Sequence, residues 1–244
     1  MNKLLVRREN FTYRRTTVEE SNHDAEGGEM TMIQTSQTLY GDSFLEYLRH
    51  LNLALFGVPC SGKTETAERL VEKFLAHLSN EPAMVVKDMG KIMREKNEAN
   101  QSSFSQMQTG ELADSEEFLR LVDEQISLAR QARQGVIFTG QPRKIEEAEY
   151  FRQRNYLDIV FYLCVPEDVS RRRAQNRNRT DDDLIKYERR LKYFQEETLP
   201  VIEFFHHQGI PVHAIDADRS RDLIDQDIME LLFSHYQSTY LFRH

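Results

Sequence analysis

Hydrophobic residues fall along this chain in short unbroken runs separated by longer stretches of helical spacing. The runs occupy residues 51–56, 83–86, 135–139, 157–165 and 211–216. An apolar run without polar alternation predicts a strand covered on both faces, and Leu157-Asp158-Ile159-Val160-Phe161-Tyr162-Leu163-Cys164-Val165 is the clearest of the five. Apolar residues recurring every three or four positions predict helices over 43–51, 65–78, 89–98, 114–134, 145–154, 167–175, 181–207 and 221–235, with a kink at Pro200 in the longest. Asp114-Ser115-Glu116-Glu117 puts acids in a first turn, where they complement the helix dipole. Strands separated by helices predict an α/β fold: a five-stranded parallel, doubly wound sheet with flanking helices and right-handed crossovers. Ligands then gather at the carboxyl ends of the strands.

Residues 1–40 break this pattern. They are polar, with a turn-like cluster at Asn22-His23-Asp24-Ala25-Glu26-Gly27-Gly28, and read as a disordered tail or as an arm that orders on a partner protein or on the body of the domain. Phe11-Thr12-Tyr13 and Met30-Thr31-Met32-Ile33 are each able to form a short strand. Residues 1–48 are therefore set apart as an N-terminal extension, 49–236 as the folded domain and 237–244 as a tail.

The stretch between the first strand and its helix is Gly57-Val58-Pro59-Cys60-Ser61-Gly62-Lys63-Thr64. This is G-x-x-x-x-G-K-T in the strand-to-helix context of a P-loop. Successive backbone N–H groups and the helix N-terminus make a concavity suited to a polyphosphate. Lys63 is expected to reach the outer phosphates of ATP, and the Thr64 hydroxyl to hold Mg²⁺.

Composition narrows the partner. The chain has 244 residues, enough for one α/β domain with additions, and 32 Lys+Arg against 40 Asp+Glu give a net charge of −8. That charge argues against broad nucleic-acid binding and for a small ligand. Two cysteines, Cys60 and Cys164, suggest no disulfide framework and point to a reducing, cytoplasmic setting. No apolar run has the length of a membrane span, and the acids from Glu19 to Glu29 count against an organelle-targeting peptide.

Two further clusters sit at strand ends. Gly140-Gln141-Pro142-Arg143 follows the run ending at Thr139, so Arg143 falls on the ligand edge, where a guanidinium offers paired donors to a phosphate; a surface arginine is the plain alternative. Arg171, Arg172, Arg173, Arg177 and Arg179 crowd behind Val165-Pro166 and abut Asp181-Asp182-Asp183. Such a cluster suits a phosphate clamp better than RNA, because no aromatic residues interleave it for base stacking.

Together these motifs resemble those of the adenylate kinase family of nucleoside monophosphate kinases. The family's G-x-P-G-x-G-K matches Gly57-Val58-Pro59-Cys60-Ser61-Gly62-Lys63, its D-G-F-P-R matches Thr139-Gly140-Gln141-Pro142-Arg143, and its R-x-D-D matches Arg179-Thr180-Asp181-Asp182. Arg190-Leu191-Lys192-Tyr193-Phe194 is similar to the family's R-L-x-x-Y helix, Gly90 with Arg94 to its T-G-x-x-x-R, and Gly110-Glu111-Leu112 to its G-x-L-V. The resemblance implies transfer of a phosphoryl group from ATP, with Mg²⁺, to a nucleoside monophosphate. It implies that Gly57, Pro59, Cys60, Ser61, Gly62, Lys63 and Thr64 cradle the donor, joined by Arg173 and Arg177. Arg94 and Arg143, with Gly90 and Gly140, would hold the acceptor phosphate, and Arg179 and Arg190 would close over the transition state with Lys63. It also implies a monophosphate-binding helical segment at about 88–113 and a short lid at about 173–183.

The chain departs from the family pattern at several positions. Thr139 replaces the aspartate that organises hydrated Mg²⁺, and a hydroxyl cannot supply that charge. Asp88, after the second strand, is a candidate substitute or a helix cap. Cys60 stands for a glycine and Gln141 for a phenylalanine. Glu147 stands where the family carries a glutamine that reads adenine; a carboxylate only accepts hydrogen bonds, so it favours a base edge with two donors, as in guanine, unless it is merely a solvated helix residue. Two other readings stay open: a nucleotide-binding scaffold that engages a protein through residues 1–40, and an ATPase of the same fold.

Overall fold

The computed structural model describes residues 12–13, 41–75, 82–98, 115–176 and 184–239. In chain order these form β1 (Thr12–Tyr13), α1 (Gly41–His50), β2 (Asn52–Gly57), α2 (Lys63–Arg69) continued by a π-helical turn (Leu70–Leu75), β3 (Met84–Lys87), α3 (Met89–Glu98), α4 (Ser115–Gln131), β4 (Gly135–Thr139) and α5 (Ile145–Arg154). There follow β5 (Ile159–Cys164), α6 (Glu167–Gln175), α7 (Leu184–Tyr193), a second π-helical turn (Phe194–Thr198), α8 (Leu199–His207), β6 (Val212–Asp216) and α9 (Arg221–Thr239). The sheet order is β1-β6-β5-β2-β4-β3, and every pairing is parallel. All five expected strands form. One of the two short strands allowed in the N-terminal region joins them, as Thr12 and Tyr13 pair with His213 and Ala214 at the β6 edge.

Successive side chains of a strand face opposite ways, so the buried runs feed two cores. Ala54, Phe56, Phe138 and Val160 pack under α4, α5, α7 and α8 through Phe118, Phe151, Leu191 and Phe205. Leu53, Leu55, Ile137 and Phe161 pack on the other face against α1, α2 and α9 through Leu48, Ala67, Ile228 and Leu232. This double cover is why the strands read as unbroken apolar runs.

Two boundaries differ from expectation. Phe44, Leu45, Tyr47 and Leu48 of α1 are buried in the second core beside Leu232 and Tyr236 of α9, so α1 belongs to the domain and the extension ends at residue 40. At the far end α9 runs to Thr239, past the expected limit at 236. The helix predicted over 181–207 is described from Leu184 and runs unbroken to His207, passing through a π-helical turn just before Pro200, which occupies the first turn of α8. Proline has no N–H to donate and its ring clashes with the carbonyl four residues back, so the distortion falls on the preceding turn.

Candidate active site

The carboxyl ends of β2, β3 and β4 open onto a cleft of about 700 Å³. Lys63, Arg69, Arg94, Arg143, Arg173, Arg190, Arg219 and Arg221 line it, against only Glu65 and Asp88. Arg69, Arg173, Arg219 and Arg221 are ion-paired with Asp225, Asp218, Asp227 and Glu65, yet eight cations around one cleft in a chain of net charge −8 still make a site suited to anions.

The loop from β2 to α2 forms one wall. Gly57 has φ 154°, and a Cβ there would lie 2.5 Å from Ser61 Oγ and 2.7 Å from the Leu163 carbonyl, so glycine alone fits. Cys60, in the family's glycine position, adopts φ 59° nonetheless. Lys63 Nζ donates to the carbonyls of Gly57 at 2.8 Å and Val58 at 2.9 Å, and to Ser61 Oγ at 3.2 Å. Its ammonium thus rests inside the loop that a phosphate would fill. The Thr64 hydroxyl donates to Asp88 Oδ2 at 3.1 Å.

Behind the loop, buried Ser170 of α6 donates to the Pro59 carbonyl at 2.7 Å, and its oxygen meets the Tyr187 hydroxyl at 2.7 Å. With one proton committed to Pro59, Ser170 accepts from Tyr187.

Arg143 faces the loop across the cleft. Its Nε donates to the Gly140 carbonyl at 2.9 Å, which fixes the guanidinium plane and leaves its outer nitrogens to other partners. Gly140 has φ 67°, and a Cβ there would stand 3.2 Å from Lys63 Cε, so the approach of Arg143's loop to Lys63 depends on glycine. Burial pulls the Arg143 pKa down, as do the neighbouring charges of Arg190 and Arg94, while Glu147 and Asp88 oppose them. At Gly90 a Cβ would sit 3.3 Å from Asp88 Oδ1 and 3.4 Å from an outer nitrogen of Arg94. Lys63, Asp88, Arg94, Arg143 and Arg190 therefore surround one small volume.

Other expected residues are placed differently. Glu147 lies off the cleft wall, 3% exposed, with its carboxylate accepting from the Arg143 amide at 2.8 Å and the Lys144 amide at 3.3 Å. It caps α5 from within, which removes the ground for assigning it to the base of the acceptor. The arginine cluster is split. Arg173 lines the cleft, donating to the Ala217 carbonyl at 3.3 Å and pairing with Asp218 at 3.5 Å, whereas Arg171, which pairs with Glu167 and Glu188, and Arg172, which pairs with Asp168, do not line it. Arg177, Arg179, the Asp181-Asp182-Asp183 run and Gly110-Glu111-Leu112 lie outside the described residues.

Sequence reading missed Arg69, Arg219 and Arg221 on the donor-loop side. Arg69 binds Asp225 of α9 through Nε at 2.9 Å and an outer nitrogen at 2.7 Å, Arg219 pairs with Asp227, and Arg221 with Glu65 at 2.6 Å. No glycine pattern marks these positions: Arg219 follows the carboxyl end of β6 and donates to the Asp216 carbonyl at 3.2 Å, while Arg69 and Arg221 reach the cleft because α9 returns beside α2.

Hard oxygen donors at Thr64 and Asp88 fit a small divalent cation held jointly with phosphate oxygens. Among the described residues no group of three His, Cys, Asp or Glu gathers to hold a metal unaided.

A phosphate loop at the carboxyl edge of a parallel sheet, ringed by arginines, defines a P-loop phosphotransferase. The family model for adenylate kinase matches residues 55–210. An adenylate kinase of Phocaeicola vulgatus is 28% identical over 189 residues, covering 73% of this chain and 96% of that protein. One from Prochlorococcus marinus is 29% identical, covering 73% and 97%, and one from Halobacterium salinarum is 25% identical, covering 74% and 96%. The chain belongs to the adenylate kinase family, and it is an ATP-dependent nucleoside monophosphate kinase that works with Mg²⁺. No helix among the described residues is long and apolar enough to cross a membrane.

Proposed function

We propose that the cleft joins ATP on the Lys63 side to a nucleoside monophosphate, AMP first among them, on the Arg143 side. The observation that carries this is the convergence of Lys63, Arg94, Arg143 and Arg190 on one cleft at the mouth of the phosphate loop. Guanidinium groups held this close repel one another until phosphates enter.

Gly57, Pro59, Cys60, Ser61, Gly62 and Lys63 cradle the β- and γ-phosphates, with Lys63 leaving its loop carbonyls to follow the transferring group. Arg173 and Arg177 hold the donor nucleotide. Arg94 and Arg143, on elements brought close by Gly90 and Gly140, clamp the acceptor phosphate, whose oxygen attacks the γ-phosphorus as ADP departs. Arg179 and Arg190 neutralise the equatorial oxygens, which is where an arginine accelerates phosphoryl transfer. Thr64 contributes a hydroxyl to the Mg²⁺ that offsets phosphate charge. AMP is favoured because the relatives are adenylate kinases and because Glu147 spends its carboxylate on the α5 cap. A cytoplasmic setting suits the free thiols of Cys60 and Cys164. Nothing favours the scaffold or ATPase readings over this one.

A coupled assay of the purified chain with ATP and, in turn, AMP, GMP, CMP and UMP tests the reading. We expect ADP to appear fastest with AMP, and Lys63→Ala to abolish turnover. ADP formation that is independent of every monophosphate would overturn it.

A further inference from the structure

We propose that Asp88 is the acidic metal ligand of this kinase, holding the divalent cation with Thr64 and the ATP phosphates in place of the carboxylate missing at Thr139. The proposal rests on the nucleotide-binding reading above and adds to it where the metal charge is anchored.

The parallel register of β3 and β4 pairs Lys87 with Phe138. The next residues of the two strands, Asp88 and Thr139, therefore stand side by side at the carboxyl edge, and both line the cleft. The chain has moved its acid one strand across the sheet. Thr139 is buried and its hydroxyl lacks a hydrogen-bond partner, which leaves an oxygen there to meet a water of the cation's shell.

The oxygens are already spaced for the task. Thr64 Oγ1 and Asp88 Oδ2 are 3.1 Å apart. Adjacent ligands of an octahedral Mg²⁺, each about 2.1 Å from the ion, lie about 3 Å from one another. For both oxygens to hold a cation would thus require shifts of only a few tenths of an ångström, with the Thr64 hydroxyl keeping its proton and turning it away from Asp88. Oδ1, the other carboxylate oxygen, accepts from the Lys91 amide at 2.9 Å, so the first turn of α3 orients the group. The cleft's other acid, Glu65, is engaged by Arg221 at 2.6 Å. Gly90 lies between Asp88 and Arg94, since a Cβ there would sit 3.3 Å from Asp88 Oδ1 and 3.4 Å from an outer nitrogen of Arg94, so the metal anchor and the acceptor clamp share the first turns of α3.

Asp88→Asn separates charge from structure, since asparagine caps a helix as well as aspartate does. Titration calorimetry with the non-hydrolysable analogue adenylyl imidodiphosphate, in Mg²⁺ and in EDTA, provides the readout. In the variant we expect the Mg²⁺-dependent gain in affinity to fall about tenfold or more, with binding in EDTA unchanged or tighter because a negative charge has left the phosphate site. Equal weakening in both buffers would reduce Asp88 to a helix cap, and an undiminished Mg²⁺ gain would leave the metal elsewhere; either result overturns the proposal while nucleotide binding stands. Failure of the wild-type chain to bind the analogue overturns both. Asp88→Ser, which also caps without charge, serves if the asparagine variant does not fold.

Discussion

Ser170 holds the Pro59 carbonyl at 2.7 Å across 111 positions of sequence, tying the phosphate loop to α6 and, through Tyr187, to α7. The bond is wholly buried on the serine side. Ser170→Ala leaves the Pro59 carbonyl and the Tyr187 hydroxyl short of partners, which costs about 1–3 kcal/mol of stability. We expect a lower unfolding midpoint in urea and ATP affinity weakened several-fold, because the loop must be reordered on binding. Unchanged ATP affinity in a destabilised variant would show that the loop does not depend on this anchor.

Arg143 gives one N–H to Gly140 and turns the rest of its fork toward the cleft. A lysine has the charge but cannot both anchor to that carbonyl and grip a phosphate with paired donors. Arg143→Lys is expected to lower kcat/KM for the monophosphate by about 100-fold, in the range for loss of a charge-stabilising donor, with ATP binding nearly intact. Steady-state kinetics with each substrate varied in turn checks the split. A loss shared equally by both substrates would place Arg143 outside the acceptor side.

The α1 helix inserts Phe44, Leu45, Tyr47 and Leu48 into the second core, and each buried side chain of this size contributes about 1.5–3 kcal/mol. Together they rival the 5–15 kcal/mol that separates folded from unfolded domains. A chain starting at residue 51 should fail to fold, whereas one starting at 41 should retain a cooperative thermal transition. Acid should weaken the same interface. His235, which bonds Tyr47, and His213 both have their pKa lowered by burial. Each contributes stability that is full above the unfolded value near 6.5 and is lost as pH falls through the folded one. Fluorescence-detected unfolding from pH 8 to pH 5 should show this decline, and His235→Gln should flatten it.

What the sequence disclosed depended on how local each signal was. The phosphate loop, the strand ends carrying Arg143 and the position of Arg94 follow from spacing within one strand–turn–helix unit, so periodicity and motif sufficed. Arg69 and Arg221 reach the cleft where α2 and α9 pair across about 156 positions, and no local pattern announces them, whereas Arg219 stands just past the end of β6 and had only that strand end to mark it. Arg171 and Arg172 behind Val165 turn away from the clamp for a related reason. A run of like charges looks uncompensated until the helix places Glu167 and Asp168 one turn away and α7 brings Glu188 alongside. The burial of α1 was hidden by its polar flanks, since only α9 explains why Phe44 and Tyr47 face inward.

Glu147 is the sharpest case of a residue whose role changed on folding, and its chemistry can be tested directly. Burial raises its pKa, with the amides of Arg143 and Lys144 and then the charges of Lys144 and Arg143 acting the other way. A carboxyl group with a raised folded pKa holds its proton longer in the folded state, so its contribution is full below the ordinary value of 4.5 and falls away as pH rises through the folded value. Glu147→Gln removes that titration while keeping an acceptor for the cap. It should match the wild type near pH 4 and become progressively more stable than it toward pH 7. Glu147→Ala, which loses the cap, should be about 1–2 kcal/mol less stable at either pH. Neither change should alter the preference among AMP, GMP, CMP and UMP. A glutamine variant that switched acceptor base would return Glu147 to the cleft and undo its assignment as a cap.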